Sequence, residues 1–144
     1  MVDFDLERFV AAQDAGGSYE GALQELRRGR KTSHWIWWVF PQIAGLGQSP
    51  TSRHYAISFR EEAQAYLAHP VLGPRLREAS RTLATIPGDD AVAILGAIDA
   101  VKVRSSMTLF AITDPAQPVY QQVLDRFYGG QLDPLTQQLV GSGT

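Results

Sequence analysis

Apolar residues recur at three- and four-residue intervals along almost the whole chain, the spacing that builds one face of an α-helix. Leu6, Phe9 and Val10 form the first stripe, with Asp3 or Asp5 available as N-cap and Gly16-Gly17 as the stop. Ser18 is expected to cap a second helix, in which Tyr19, Ala22, Leu23 and Leu26 keep the helical period. Arg27 and Arg28 fall in its last turn, where the helix dipole favours cations, and Gly29 suits the position just beyond. The run Trp35-Ile36-Trp37-Trp38-Val39-Phe40 is apolar on every side and ends at Pro41. A lone strand there would leave its backbone polar groups unpaired. The run is therefore expected to be a short helix capped by Thr32 or Ser33.

Pro41, Gly45, Gly47 and Pro50 punctuate a loop reaching to Ser52, long enough to suggest a functional role. Ser58 and Glu61 have capping-box spacing and open a helix to about His69, which Pro70 stops. Pro74 suits the first turn of the next helix, whose face is Leu76, Ala79, Leu83 and Ile86. Asp89 or Asp90 is expected to cap a short helix through Val92 and Leu95, interrupted by Gly96. Ile98, Val101, Ser105, Leu109 and Ile112 then line one side of a longer helix that ends at Asp114-Pro115. Pro118 opens another, with Val119, Tyr120, Val123, Leu124 and Phe127 apolar, and Asp133-Pro134 starts a short last one. With no repeat, linker or low-complexity run, residues 1–144 read as a single all-α domain of about seven or eight short helices.

Composition narrows the function classes. A chain of 144 residues hides roughly 70% of its unfolded surface on folding, and its three Trp, five Tyr and six Phe exclude intrinsic disorder. The absence of cysteine removes disulfides, a thiolate nucleophile and sulfur-ligated zinc. No apolar run approaches the ~20 residues of a membrane span, and the acidic start does not read as a signal peptide. A cytoplasmic protein is expected. A formal charge of −2 makes nucleic acid a poor partner.

Three stretches carry candidate chemistry. Arg27, Arg28, Arg30 and Lys31 supply four of the 13 basic residues within five positions, a local positive potential directly ahead of His34, Trp35 and Trp38. Cations beside indoles suit an anionic ligand with a planar ring. The plainer reading has the arginines complementing a helix end and the tryptophans filling the core. In the loop, Gln42, Gly45 and Gly47 offer directional hydrogen bonds, although the spacing matches neither a P-loop nor a dinucleotide fingerprint. Asp99, Lys102 and Ser106 share a helical face, with Ser105 adjacent, so that Lys102 and Ser106 have the spacing of a Ser–Lys dyad. Here the plainer reading is a surface ion pair with small residues placed for helix packing. The three histidines lack metal-ligand spacing, and neither a metal nor a cofactor is expected.

Taken as a set, Gly29-Arg30-Lys31, His34-Trp35, Trp38, Phe40-Pro41-Gln42, Gly45-Leu46-Gly47, Ser49, His69-Pro70-Val71-Leu72-Gly73, Asp99, Lys102 and Ser105 to Phe110 resemble an uncharacterised bacterial family. It is domain-of-unknown-function family 1810, sometimes labelled calpastatin. The resemblance spans nearly the whole chain, with Ile36 where Met is expected. It implies a mostly helical single domain and no established activity. The calpastatin label conflicts with a composition rich enough in apolar residues to fold.

The combined expectation is a small-molecule site for an anionic, ring-bearing ligand such as a nucleotide or ADP-ribose derivative. Arg30, Lys31 and Lys102 would hold charge, Trp35 or Trp38 would stack, and Gln42, Gly45 and Gly47 would supply hydrogen bonds. Asp99, Ser105 and Ser106 complete the set, with His34, Lys102 and Ser106 as the catalytic candidates if a reaction occurs. The alternative is a non-enzymatic module that docks an acidic partner through Arg27 to Lys31. The two differ in whether segments some seventy positions apart meet around one hollow.

Overall fold

These stripes fold, in a computed structural model that describes residues 4–142, into ten α-helices and a 3-10 turn at Ala15–Gly17. The helices are α1 (Glu7–Asp14), α2 (Ser18–Arg27), α3 (Ile36–Val39), α4 (Pro50–His54), α5 (Arg60–Ala68), α6 (Leu72–Thr85), α7 (Ala91–Leu95), α8 (Ala97–Thr113), α9 (Val119–Tyr128) and α10 (Pro134–Ser142). The domain is all-α. No strand forms among the described residues; one parallel bridge joins Ile43 to Ile57, closed by the Ile57 N–H donating to the Gln42 carbonyl at 2.8 Å.

The second half of α8 runs through the middle of the core. Val103 and every residue from Ser105 to Phe110 are buried, as befits a segment that α5, α9 and α10 all pack against. Its first half emerges. Ile98 is 74% and Val101 64% exposed, so the expected stripe of Ile98, Val101 and Ser105 does not face the core. The buried row is instead Ala100, Val103, Met107 and Phe110, offset around the helix, and the two apolar residues border surface grooves.

Several caps differ from expectation by one position. Gly17 rather than Ser18 is the N-cap of α2, and the Ser18 hydroxyl accepts from the Trp38 indole N–H at 2.8 Å. Leu6 precedes α1 without a side-chain cap, leaving Asp5 uncapping; Asp3 lies outside the described residues. Glu62, not Glu61, accepts from the backbone and hydroxyl of Ser58, each at 2.8 Å. Helix α3 is a single turn begun at Trp35, and Thr32 and Ser33 do not cap it. The glycine-rich loop ends early, because Ser49-Pro50 pairs an N-cap with a first-turn proline and starts α4; the Ser49 hydroxyl accepts the Ser52 N–H at 3.1 Å. Asp90 and Asp133 cap as expected, accepting from Ala93 and Thr136.

Two features fix how neighbouring elements meet, and the first lies beside the candidate site. The Arg8 guanidinium donates to the carbonyls of His54 and Ala56 at 2.8 and 2.9 Å and pairs with Glu62 at 2.9 Å, holding the segment after α4 between α1 and α5. At the α5–α6 corner, His69 Nδ1 accepts the N–H groups of Val71 and Leu72. A Cβ at Gly73 would lie 2.2 Å from the Leu67 carbonyl oxygen, so only glycine lets the two helices approach this closely.

Candidate functional site

Asp99, in the first turn of α8, sits between two lysines. Its Oδ2 lies 2.7 Å from Lys31 Nζ and its Oδ1 lies 3.7 Å from Lys102 Nζ. Each ammonium also rests over an indole: Lys31 is 5.0 Å from the Trp35 ring centroid and Lys102 is 4.5 Å from that of Trp37. The stretches around residues 31 and 102 therefore do meet.

The two lysines are not equivalent. The Lys31 side chain is 6% exposed, close-paired to Asp99 and donating to the Ser33 carbonyl, so its charge is committed inside the protein. The Lys102 side chain is 24% exposed and its distance from Asp99 exceeds a hydrogen bond. Among the described residues its ammonium has no hydrogen-bonded acceptor. Its remaining contacts are the loose ion pair with Asp99 and the face of the Trp37 ring, so this ammonium is left at the border of the hollows.

Behind the lysines, the Glu25 carboxylate organises the basic stretch. Its Oε1 accepts from the backbone of Thr32 at 2.7 Å, the backbone of Ser33 at 2.9 Å and the Trp35 indole at 2.9 Å. Burial pulls this carboxyl upward, but hydrogen bonds from Ser33, Thr32 and Trp35 outweigh burial and hold it down at about 2. Glu25 has a sequence signal: it falls on the buried face of α2, beside Ala22 and Leu26, where an acid needs partners.

Lys102 borders two hollows. A small cavity of about 20 Å³ is lined by Trp37, Phe40, Gln42, Gly45, Tyr55 and Lys102 among others; that is room for about one water. An open groove of about 450 Å³ runs along α8, bounded by Ile98, Val101, Ser105 and Leu135. Gln42, Gly47, Ser52 and Lys102 line both. A Cβ on Gly47 would fall 2.5 Å from that of Ser52, so the glycine sets how closely the loop meets α4. The Gln42 side chain is part-exposed at this border, and the buried Trp37 indole N–H is without a hydrogen-bond partner among the described residues.

The other residues marked from the sequence are placed elsewhere. Trp35 is 1% exposed, with its N–H on Glu25, which leaves no face for a ligand to stack on. Trp38 packs on Trp37 and Tyr55 and borders neither hollow. Ser106 is fully buried with an unpartnered hydroxyl, so it makes no hydrogen bond to Lys102 and the Ser–Lys dyad does not form. Ser105 donates to Asp133 at 3.1 Å. His34 is exposed and lines a separate concavity with Gly96, Ile98 and Asp99. Arg30 is exposed, away from both hollows. Trp37, Ser52 and Leu135, unmarked in the sequence, stand in their place; Trp37 is hidden in the sequence because a run of six consecutive apolar residues does not show which ring faces outward.

Three comparisons bear on this chain. A family model described as "Protein of unknown function (DUF1810)" matches residues 3–140. The chain belongs to that family. This DUF1810 domain is also similar to a solved structure, the crystal structure of the conserved hypothetical protein Rv1873 from Mycobacterium tuberculosis. The two are 46% identical over 96% of this chain and 97% of that one, with a TM-score of 0.92. No curated protein matches. For the DUF1810 fold, then, a crystal structure has the same architecture, and the comparisons assign no activity. Among the described residues no helix is long and apolar enough to cross a membrane, and no cluster of metal-ligating side chains occurs.

Proposed function

We propose that this DUF1810 protein binds a small anionic molecule with a ring or other apolar body, in the groove between α8 and the glycine-rich loop. The observation that carries the reading is Lys102: a part-buried ammonium with no hydrogen-bonded acceptor among the described residues, sharing the border of a 450 Å³ groove with Gln42. That volume falls in the range of small-molecule sites. Ile98, Val101 and Leu135 offer the apolar wall that the tryptophans do not, so a ring would lie against aliphatic side chains. Mononucleotides and ADP-ribose-like compounds are the first members of the class to test, and the reading assigns binding without a reaction. The cysteine-free sequence favours a cytoplasmic setting.

Titration calorimetry with AMP tests it. Binding should weaken by about tenfold or more in Lys102→Met, the loss of a charge-assisted hydrogen bond. It should stay within about twofold in His34→Asn, since His34 lines a different concavity. Failure of AMP and of other ring-bearing anions to bind, or indifference to Lys102→Met, overturns the reading.

A second reading rests on Arg27, Arg28 and Arg30, which are exposed and have no acidic partner among the described residues. These three would dock an acidic protein surface, with Lys31 left out because Asp99 holds it. Such docking would weaken steeply with salt and ignore Lys102→Met.

A further inference from the structure

Besides Lys102, the wall of the groove along α8 carries a charged group of the opposite sign. Asp133, just ahead of α10, brings a carboxylate to this groove and to the neighbouring hollow between α7, α8 and α9. Its two oxygens are used unequally. Oδ2 accepts from the Ser105 hydroxyl at 3.1 Å, from the Thr136 N–H at 3.2 Å and from the Thr136 hydroxyl. Oδ1 accepts no hydrogen bond among the described residues, and it is not among the partnerless atoms sealed from solvent. Capping α10 needs one oxygen, so the cap accounts for Oδ2 and leaves Oδ1 over.

The two charges flank one turn of the same helix. Lys102 and Ser105 are i, i+3 neighbours on α8, about 5–6 Å apart at Cβ, and Ser105 holds the Asp133 carboxylate. The other polar walls select less. Gln42 is part-exposed, and the Ser52 hydroxyl is bonded to that of Ser49 at 2.9 Å; an amide and a hydroxyl can each donate or accept. An ammonium only donates and a carboxylate only accepts. An occupant that satisfies both must be anionic at Lys102 and donate a hydrogen bond at Asp133. A neutral donor suits Asp133 better than a second cation. The Arg104 guanidinium donates to the carbonyls of Gln131 and Leu132 at 3.1 and 2.9 Å, so a positive charge already lies beside this carboxylate.

We propose that Asp133 is the specificity-determining residue of the groove and that its occupant is a sugar phosphate, free or within a nucleotide. The phosphate sits on Lys102, and a sugar hydroxyl donates to Asp133 Oδ1. Where a base is present, it lies against exposed Ile98, Val101 and Leu135. The inference rests on the anion-binding reading above and narrows it from any ring-bearing anion to one that carries hydroxyls. A site built to bond a hydroxyl discriminates against the analogue that lacks it.

AMP and 2′,3′-dideoxy-AMP share phosphate and base and differ only in the sugar hydroxyls, so calorimetry on the full wild-type chain isolates the contact without a variant. AMP should bind about tenfold more tightly, the worth of one hydrogen bond to a charged acceptor. Asp133→Asn supplies the second readout. Thr136 and Ser105 still need an acceptor, so the amide oxygen takes the place of Oδ2 and an NH2 group replaces Oδ1. The preference for AMP should then fall to within about twofold, whatever the lost charge does to both affinities. Ribose 5-phosphate separates the two sources of the chemistry: affinity within about twofold of AMP points to a free sugar phosphate, and a loss of tenfold or more to a nucleotide. Dideoxy-AMP binding wild type as tightly as AMP, or a preference that survives in Asp133→Asn, overturns the role of Asp133. If AMP still binds through Lys102 in that case, the broader anion site stands; if no ring-bearing anion binds, both fall.

Discussion

Lys31 and Asp99, sixty-eight positions apart in sequence, meet at 2.7 Å and fasten the segment after α2 to the first turn of α8. Replacing Asp99 by Asn keeps the shape and leaves the Lys31 ammonium nearly buried and uncompensated. The expected loss is about 2–3 kcal/mol of unfolding free energy, below the full cost of breaking a buried pair because Asp99 itself is part-exposed. Urea denaturation of Asp99→Asn measures it, and a loss within about 0.5 kcal/mol would show that the pair is a surface contact.

Glu25 makes stability depend on pH at the acid end. Its folded carboxyl is held at about 2, while an unfolded glutamate titrates near ~4.3. The stabilisation is therefore complete above about pH 5 and drains away as pH falls toward 2, on the order of 2 kcal/mol after allowing for nearby solvent. Chemical denaturation between pH 6 and 2.5 should show this slope, flattened in Glu25→Gln. An identical acid limb in the variant would contradict the assignment.

Gly47 meets Ser52 so closely that an added Cβ would sit 2.5 Å from the serine Cβ and 2.6 Å from its Oγ. Gly47→Ala should cost about 1–3 kcal/mol by overpacking and weaken any ligand held between the loop and Lys102. Adding Ser52→Gly opens that space. Gly47→Ala should therefore cost less in the Ser52→Gly background than in wild type, a difference that a double-mutant cycle by thermal denaturation resolves. Strictly additive effects would place the cost of Gly47→Ala elsewhere.

The helical periods of this chain were enough to determine an all-α domain, because each stripe, such as Tyr19, Ala22, Leu23 and Leu26, needs an apolar neighbour wherever it packs. Local stop and cap chemistry was equally legible at Asp90 and Asp133, whose partners lie three residues away. Where two local signals competed, as with Glu61 and Glu62, the one-residue choice followed from which acid could be buried against Arg8.

Tertiary structure alone decided which polar residues share a site. The sequence placed Lys31 and Lys102 in the same candidate set but had no means to distinguish the lysine that closes on Asp99 from the one left at the groove. It also could not choose among Trp35, Trp37 and Trp38, because every ring in an all-apolar run has the same local claim to the core. Glu25 settles that choice from another helix by taking the Trp35 N–H, while Ser18 takes that of Trp38. Trp37 is left with its donor unmatched beside Lys102. Periodicity is a property of one segment, whereas a binding site depends on distances between segments, and those exist only once the chain has packed.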